Sequence, residues 1–197
     1  PGMSRATAYA LTLRTLEFFL READQHQGFF YHFLDFETGK RANRSELSPI
    51  DTALFLAGAL FAAEYFDDPQ LRDLTRQIYA RVDFPWMLNG GHTFALAWSP
   101  ETGFSRSRWD HFDESLLLYV LAIGSPARPI PAGSWNAILR PVGSYRDLRM
   151  IQMPPLFTHQ YPHIWLDLKG QHDGFADYFE NSVRASQANR FFCIDQS

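Results

Sequence analysis

The sequence predicts an all-α fold in which helices buried on every side alternate with amphipathic helices that expose one face. Residues 50–66 and 116–123 are apolar around the whole helix, as buried helices are. Residues 71–87 instead carry a single apolar stripe with charged residues opposite: Leu71, Leu74, Ile78 and Val82. A plain bundle would give every helix a polar face. The alternation therefore favours a two-layer ring of inner and outer helices, an α/α toroid.

Three further helices and two β-hairpins complete the predicted order. The first helix is expected from Arg5 to Ala23, a short outer helix at 134–139 and the last helix at about 175–192. Alternating aromatic and polar residues predict one hairpin within 29–47 and a second within 93–108. The proline-containing stretch 141–155 is predicted to be irregular. One side of the first helix is expected to be apolar, through Leu11, Thr15, Phe18 and Phe19.

Composition excludes several classes of partner. The net charge is −4, so no basic surface is expected to neutralise the phosphates of a nucleic acid. The longest apolar runs are about half the roughly 20 residues that cross a bilayer, so no membrane partner is expected. The aromatic share is 16%, and such a chain either buries many rings or offers some to a ligand with flat apolar faces.

The termini and the cysteine content leave the cellular location open. Cys193 is the only cysteine, so no internal disulfide can form. The chain opens Pro1-Gly2-Met3 without a signal peptide, which we interpret as an internal cut. Periplasmic and cytoplasmic locations are both compatible with this sequence.

Acidic residues stand at the starts of both apolar helices. Ser48 and Asp51 fit the N-cap and N3 positions of a capping box, with a proline between them at the first helical position. Asp110 and Asp113 can cap the second helix in the same way, and Glu114 follows the box position instead of filling it. Carboxylates in a first turn also gain roughly 0.3–1 kcal/mol from the helix dipole. Capping therefore explains Asp51 well and Glu114 poorly.

A catalytic role is the second interpretation of these carboxylates. Inner helices of one toroid run parallel, so the side chains of Asp51 and Glu114 would lie near each other at the same end of the ring. Glycoside cleavage needs one protonated acid for the leaving oxygen and one carboxylate that activates water or attacks the anomeric carbon. Four aromatic side chains could stack on sugar faces there, although such rings are more often core residues: Tyr31, Trp98, Trp109 and Trp165.

The histidines do not predict a metal site. His159 and His163 have the i, i+4 spacing of a helical zinc pair, but Pro162 lies between them and no Glu occupies the adjacent position. A structural or sugar-binding role is favoured. The sequence contains neither a Gly-rich phosphate loop nor a G-x-S-x-G elbow. We therefore expect no metal and no cofactor.

Five segments together resemble a known family. They are residues 28–40, 45–54, 109–114 with 124–126, 156–161 and 177–182. They are similar to motifs of the bacterial glycoamylase-like family, which is related to endo-β-1,2-glucanases and to the glucan-processing domain of cyclic β-1,2-glucan synthases. The resemblance covers nearly the whole chain in the family's order. It implies a partial (α/α)6 toroid with short β-hairpins in its loops.

The resemblance also implies roles for the matching residues. Glu114 matches an acidic position at the start of an inner helix, a candidate nucleophile or base. Asp51 matches a position in the segment that supplies the acid. Related glucanases carry Asp where this chain has Ser48, which makes Glu46 an alternative acid. The matches with implied substrate contacts are Asp110, His159, Tyr161, Trp165, Asp167 and Glu180.

Family domains are considerably longer than this chain, so we expect residues 1–197 to form one incomplete domain that lacks an N-terminal hairpin and C-terminal helices. The exposed flanks of its inner helices predict self-association. The leading hypothesis is a glycoside hydrolase or transglycosylase that acts on a β-glucan, with β-1,2 linkages favoured. The alternatives are a catalytically silent carbohydrate-binding fragment and an α-helical interaction scaffold. The scaffold predicts that Asp51, Glu114 and Trp109 do not cluster.

Overall fold

The computed structural model describes residues 2–196, nearly half of which are helical. The α-helices are α1 (Arg5–Arg21), α2 (Pro49–Phe66), α3 (Pro69–Arg81), α4 (Phe84–Leu88), α5 (Leu116–Ile123), α6 (Gly133–Asn136), α7 (Phe157–Gln160) and α8 (Tyr178–Asp195), with a 3-10 helix at Tyr161–Ile164. The strands are β1 (Gln25–His26), β2 (Phe29–Phe30), β3 (Phe94–Ala95), β4 (Trp98–Ser99), β5 (Gly103–Phe104), β6 (Arg108–Trp109), β7 (Val142–Tyr145) and β8 (Leu148–Ile151). All strand pairs within these residues are short and antiparallel. The predicted helical class is confirmed.

Helix α2 packs against α1, α3 and α5 and so lies at the centre of this arrangement. It begins where predicted, because the Ser48 hydroxyl accepts a hydrogen bond from the Asp51 backbone N–H at 3.2 Å and Pro49 takes the first helical position. It ends at Asp67, whose φ of 55° is left-handed. The predicted N-cap is confirmed, and it fixes Asp51 in the first turn.

The burial of α2 differs from the prediction. Ala53 and Leu56 are fully buried, but Phe61 and Tyr65 are 66% and 57% exposed. The described residues surround only part of the helix, so the remaining apolar side chains face solvent. Within residues 2–196, α2 is the one helix whose length and composition would allow it to span a membrane. Core helices of globular proteins meet the same two criteria.

The helix predicted at 71–87 is two helices. The apolar stripe of α3 is buried as expected, but Val82 is extended and ends that helix at Arg81. The Asp83 side chain then accepts a hydrogen bond from the Trp86 N–H and starts α4, with Pro85 in its first turn. Aspartate followed by proline is a helix-start signal, which explains the break.

Helix α1 agrees with the prediction in position but not in the details of its face. It ends at Arg21, and its buried residues are Leu16 and Leu20, whereas Leu11 is 45% exposed. Phe19 stacks on Phe55 of α2 with ring centroids 4.3 Å apart, as a residue of the contact face should. The contact with α2 and α3 is therefore centred nearer the C-terminal end of α1 than the sequence pattern suggested.

Both predicted hairpins are present. Residues 30–48 run out and back with isolated bridges at Tyr31↔Leu47 and Leu34↔Arg41, so this hairpin is irregular. The second hairpin, formed by β3–β6 and β4–β5, is regular and turns at 100–102. Leu47 exchanges backbone hydrogen bonds with Trp98, at 2.7 and 3.4 Å, and so joins the two hairpins. We refer to residues 93–109 as the central hairpin.

The second half of the chain contains a hairpin and two short helices, α7 and the 3-10 helix, that the sequence did not predict. Helix α5 occupies its expected range, and α6 is the expected short helix. Residues 141–155, expected to be irregular, instead contain the hairpin β7–β8. It packs on α8, where Asn181 Oδ1 accepts a hydrogen bond from the Ile151 N–H at 2.7 Å. This tertiary contact secures two short strands that have weak sequence signals.

Candidate active site

The first group of candidate residues lies at the start of α2. Glu46 precedes the helix, Asp51 stands in its first turn, and both side chains are nearly half exposed. His32 lies between them, with Nδ1 2.8 Å from Glu46 Oε1 and Nε2 3.7 Å from Asp51 Oδ2. The backbone positions the imidazole, since the His32 N–H donates to Glu46 O at 2.8 Å. We call His32, Glu46 and Asp51 the α2 cluster.

Hydrogen bonds give the two carboxylates of the α2 cluster different properties. A hydrogen bond from its own backbone N–H and another from His32 lower the pKa of the Glu46 carboxyl. A carboxyl held in its charged form is a poor proton donor. Glu46 is therefore better suited to supply fixed negative charge than to act as an acid.

The second group lies just before α5. The first residue of that helix is Leu116, so the partly buried Glu114 stands at its entrance and not in its first turn. Asp113 Oδ1 accepts a hydrogen bond from the Ser115 N–H at 2.8 Å, but Asp113 lies before the helix and α5 has no side-chain cap, so the predicted N3 role of Asp113 is wrong. Asp110 does not cap the helix, because its carboxylate pairs with His111 Nδ1 at 2.7 Å. We call Asp110, Asp113 and Glu114 the α5 cluster.

Asp113 is the buried member of the α5 cluster. Its side chain is only 6% exposed. Burial raises the pKa of the Asp113 carboxyl to about 6, and the neighbouring Glu114 charge adds to the rise. The sequence predicts only a capping role for Asp113. Its position between Phe112 and an apolar helix was a signal for burial, and a buried carboxyl beside a second carboxyl is typical of glycosidase sites.

The central hairpin contacts the segment just before α2 and the middle of α5. On one side, Leu47 pairs with Trp98 immediately before α2 begins. On the other side, the Tyr119 hydroxyl of α5 donates to Trp109 O at 2.6 Å and accepts from the Phe94 N–H at 3.3 Å. Within residues 2–196, no hydrogen bond joins the α2 and α5 clusters directly. The hairpin links the two helices by hydrogen bonds, in addition to the direct packing of α2 on α5.

The candidate sugar-stacking rings are each partly engaged within the protein. Trp98 stacks on His26 with centroids 4.8 Å apart, and the Arg41 guanidinium lies 4.8 Å from the Tyr31 ring centroid. Trp109 and Trp165 are partly buried, and each has an indole N–H that is buried without an acceptor in the described residues. One face of Trp98 is therefore unavailable to a ligand, whereas Trp109 and Trp165 have donors without an acceptor.

His159 is a core residue in this structure. It is 3% exposed; its Nε2 lies 3.0 Å from Met153 O and its Nδ1 3.2 Å from the Asn181 amide. Both ring nitrogens are engaged inside the protein, so this geometry corrects the expectation that His159 contacts sugar. His163 has a different partner, Ser182 Oγ at 2.9 Å, so the two histidines do not form a pair of ligands. No group suited to a metal ion occurs among the described His, Cys, Asp and Glu residues.

The remaining candidates lie on the C-terminal part of the chain. Tyr161 is partly buried at the start of the 3-10 helix. Trp165 and Asp167 line an open cavity of about 460 Å³ together with Lys169. Glu180 is exposed in the first turn of α8, where its backbone N–H donates to Asp177 Oδ1 at 2.9 Å. None of these residues makes a described hydrogen bond to the α2 or α5 cluster.

Comparisons with known proteins identify similar sequences. The family model Glycoamylase, described as "Putative glucoamylase", matches residues 106–197. An exo-β-1,2-glucooligosaccharide sophorohydrolase (non-reducing end) of Parabacteroides distasonis is 24% identical over an alignment of 219 positions. The alignment covers 90% of this chain and 30% of that protein. The family model includes the α5 cluster and begins after the α2 cluster.

Solved structures resemble the chain over its whole described length. An endo-β-1,2-glucanase from Chitinophaga pinensis, in complex with sophorotriose and glucose, is 26% identical with a TM-score of 0.83, covering 98% of this chain and 52% of the other. A "putative glucoamylase" from Bacteroides uniformis is 22% identical with a TM-score of 0.89, with coverages of 98% and 52%. The chain spans about half the length of these proteins. The resemblance to the glycoamylase-like family that the sequence motifs indicated is therefore confirmed.

Proposed function

We propose that the chain is part of a glycoside hydrolase or transglycosylase that acts on a β-glucan, with β-1,2 linkages favoured. The observation that carries the proposal is the pair of carboxylates, Asp51 and Glu114, at the starts of two packed helices that share contacts with the central hairpin. The relatives named as a β-1,2-glucanase and a sophorohydrolase support the substrate class.

The proposed architecture is part of an (α/α)6 toroid, formed by one incomplete domain. Helices α2 and α5 have the composition of inner helices and pack together, while α3 exposes its polar side as an outer helix would. The solved relatives are about twice as long as this chain, which supports an incomplete ring. In such a ring the starts of α2 and α5 lie at one mouth, where a glucan can bind.

In the proposed mechanism, Asp51 is the general acid. It donates its proton to the glycosidic oxygen as the bond from that oxygen to the anomeric carbon breaks. Glu114 either attacks the anomeric carbon or removes a proton from the water that attacks it. Their separation with substrate bound decides between these routes, since retaining pairs lie about 5–5.5 Å apart and inverting pairs about 6.5–9.5 Å apart. Glu46 is the alternative to Asp51 as the acid, and the hydrogen bonds that lower its pKa favour Asp51 over it only if Asp51 can be protonated near the substrate.

Substrate contacts are assigned to rings and polar groups beside the two clusters. Trp109 and Trp165 have indole N–H groups without an acceptor, which a sugar hydroxyl could supply after a small displacement. Asp110 is nearly half exposed and close to Glu114 in the sequence, so it can accept hydrogen bonds from a sugar. Tyr31, Trp98, Tyr161, Asp167 and Glu180 remain candidates for the outer part of the cleft.

The test is to incubate this chain and its full-length parent with linear β-1,2-glucan and to follow shortened or cyclised products by mass spectrometry. We expect Glu114→Gln and Asp51→Asn each to lower the rate by roughly 10²–10⁴-fold, the usual contribution of a catalytic acid or base. Glu64→Gln, an exposed substitution farther along α2, should leave the rate unchanged. If neither protein yields products, or if Glu114→Gln retains full activity on any cleaved glucan, the proposal fails.

A carbohydrate-binding fragment without catalysis is the second candidate. One observation favours it: Ser48, at the position where related glucanases carry Asp, is buried and occupied as the N-cap of α2. This candidate predicts binding of β-1,2-gluco-oligosaccharides in calorimetry without turnover, with the binding lost in Trp109→Ala. Turnover by the chain would exclude it.

A further inference from the structure

His32 joins two carboxylates of the candidate active site. Its Nδ1 lies 2.8 Å from Glu46 Oε1, and its Nε2 lies 3.7 Å from Asp51 Oδ2. The Phe33 ring stacks on the imidazole, with centroids 4.3 Å apart and planes inclined by 9°. A hydrogen bond and a stacked ring thus fix the imidazole plane, with Nε2 directed toward Asp51.

The fold does not depend on this side chain. The His32 N–H donates to Glu46 O, and the Ser45 hydroxyl bonds both backbone groups of Phe33. These bonds hold the two chain segments together without the imidazole. Ion pairs between side chains this exposed contribute only about 0–1 kcal/mol to stability. The placement of His32 is better explained by the carboxylates that it joins.

The two ring nitrogens have different tasks. An ionised carboxylate only accepts hydrogen bonds, so Nδ1 carries the proton that it shares with Glu46. Nε2 can then accept a proton from Asp51, or, once protonated, face the Asp51 carboxylate. The separation of 3.7 Å closes to a hydrogen bond with a small rotation of either side chain.

We infer that His32 is a positioning residue that orients Asp51 and Glu46 and returns a proton to Asp51 between turnovers. The inference rests on the proposed function, in which Asp51 is the general acid. After Asp51 has given its proton to the glycosidic oxygen, the imidazolium Nε2–H donates a proton to the Asp51 carboxylate. The neutral ring then takes a proton from solvent, which its exposure allows.

The other charged groups nearby do not compete for Asp51. Arg41 is the cation whose charge reaches Glu46. Its guanidinium is held by both carboxylate oxygens of Glu101, at 2.7 and 2.9 Å, on the central hairpin. Among the described residues, the ion-pair contacts of the imidazole are with two anions, Glu46 and Asp51, while Arg41 is paired with Glu101.

The first test needs no catalytic activity. In ¹⁵N NMR of the full chain, we expect the His32 Nδ1 to be protonated and its Nε2 resonance to shift in Asp51→Asn. Asp147→Asn, which removes an exposed carboxylate outside the α2 cluster, is the control and should leave that resonance in place. A His32 Nε2 resonance that is insensitive to Asp51→Asn overturns the inference, whether or not the chain cleaves glucan.

The second test uses glucan hydrolysis. We expect His32→Ala to lower kcat by roughly 10²-fold with little change in KM, the lower end of what proton transfer contributes, and free imidazole to restore much of the rate. His32→Gln keeps a donor for Glu46 but cannot relay a proton, so it should stay slow with imidazole present. Exposed His92→Ala is the matched control.

The outcomes separate the inference from the function on which it rests. If the wild type cleaves glucan and His32→Gln keeps both its rate and its pH profile, the relay is wrong and the proposed function stands. If the wild type cleaves no β-glucan, the proposed function fails, and the resonance of His32 alone decides whether the imidazole is coupled to Asp51.

Discussion

At the scale of single residues, Asp113 and Glu114 show how neighbouring carboxyls acquire different chemistry. Asp113 is buried against α5, and burial raises its pKa to about 6, whereas Glu114 keeps partial contact with solvent. A protonated Asp113 adds no negative charge beside Glu114 in acidic solution. Ionisation of Asp113 above about pH 6 would place a negative charge beside Glu114 and so change the electrostatic environment of the Glu114 carboxyl.

Asp113→Asn should change how stability depends on pH. The pKa of Asp113 rises from 3.8 in the unfolded chain to about 6 in the folded protein, so the folded state binds the proton more tightly. Stability from this group is complete below about pH 4 and is lost as pH rises to 6, by about 2–3 kcal/mol. The Asn variant should lack this loss, as urea unfolding between pH 4 and 8 will show.

Exposed Asp147→Asn is the matched control for that measurement. It should reproduce the pH dependence of the wild type. Equal pH dependence in Asp113→Asn and in the wild type would show that the Asp113 carboxyl titrates normally and is not buried in solution.

Sequence patterns predicted some site residues and missed others for a physical reason. The local spacing of Ser48 and Asp51 predicted a cap, and the structure confirms it, because capping depends on residues within one turn. His32 was missed because its partners are brought to it by the irregular hairpin of residues 30–48. His159 matched a motif, yet its burial depends on Met153 and Asn181, which no local pattern specifies.

At the scale of elements, the tight turn between β1 and β2 depends on one glycine. Gly28 has a φ of +81°, and a Cβ built on it would lie 2.5 Å from Arg81 O and 2.6 Å from the Val82 Cα. The turn is also bonded to the end of α3, since the Asp83 N–H donates to Gln27 O at 2.9 Å. The β1–β2 turn therefore packs directly against the end of α3, and only glycine leaves enough space between the two backbones.

Gly28→Ala should destabilise the protein far more than Gly90→Ala. Gly90 also has a positive φ, +74°, but nothing lies within 4 Å of the position of its Cβ. Both variants incur the cost of a left-handed alanine, about 1–2 kcal/mol, and only Gly28→Ala adds a backbone clash, worth about 1–3 kcal/mol more. Thermal unfolding of both variants beside the wild type measures the difference. Equal losses would mean that the turn does not abut α3.

The elements that the sequence failed to predict share weak local signals. The strands β7 and β8 are four residues each, and their turn uses Arg146 at a φ of 52° instead of the usual glycine or asparagine. Their contact with α8 stabilises them instead. The boundary between α3 and α4 is different, because Asp83 and Pro85 form a helix-start signal inside an otherwise continuous apolar pattern.

At the scale of the whole molecule, the described residues leave apolar surface without a neighbour. Phe61 and Tyr65 stack on each other on the outside of α2, with centroids 6.2 Å apart. Leu11, Phe55 and Ala62 line a groove between α1 and α2 next to them. Solved relatives are about twice as long as this chain. Apolar surface of this kind marks a face that another element or molecule covers.

In isolation, the chain should cover this face with a second copy of itself. Burying the Phe61 and Tyr65 rings between two copies would be favourable by about 25 cal/mol per Å² of apolar surface, before the cost of association. We therefore expect the average mass from light scattering to rise with concentration. Phe61→Glu combined with Tyr65→Lys should return it toward the monomer while leaving the net charge at −4.

That measurement requires reducing buffer, because exposed Cys193 could otherwise link two copies through a disulfide. Gln187→Glu combined with Gln171→Lys makes the same charge change at exposed polar positions and should associate like the wild type. A wild-type mass that stays at one chain at every concentration would contradict the prediction. Association that persists in the Phe61 and Tyr65 double variant would assign it to another surface, such as the apolar cavity between β8 and α8 lined by Met150 and Phe192.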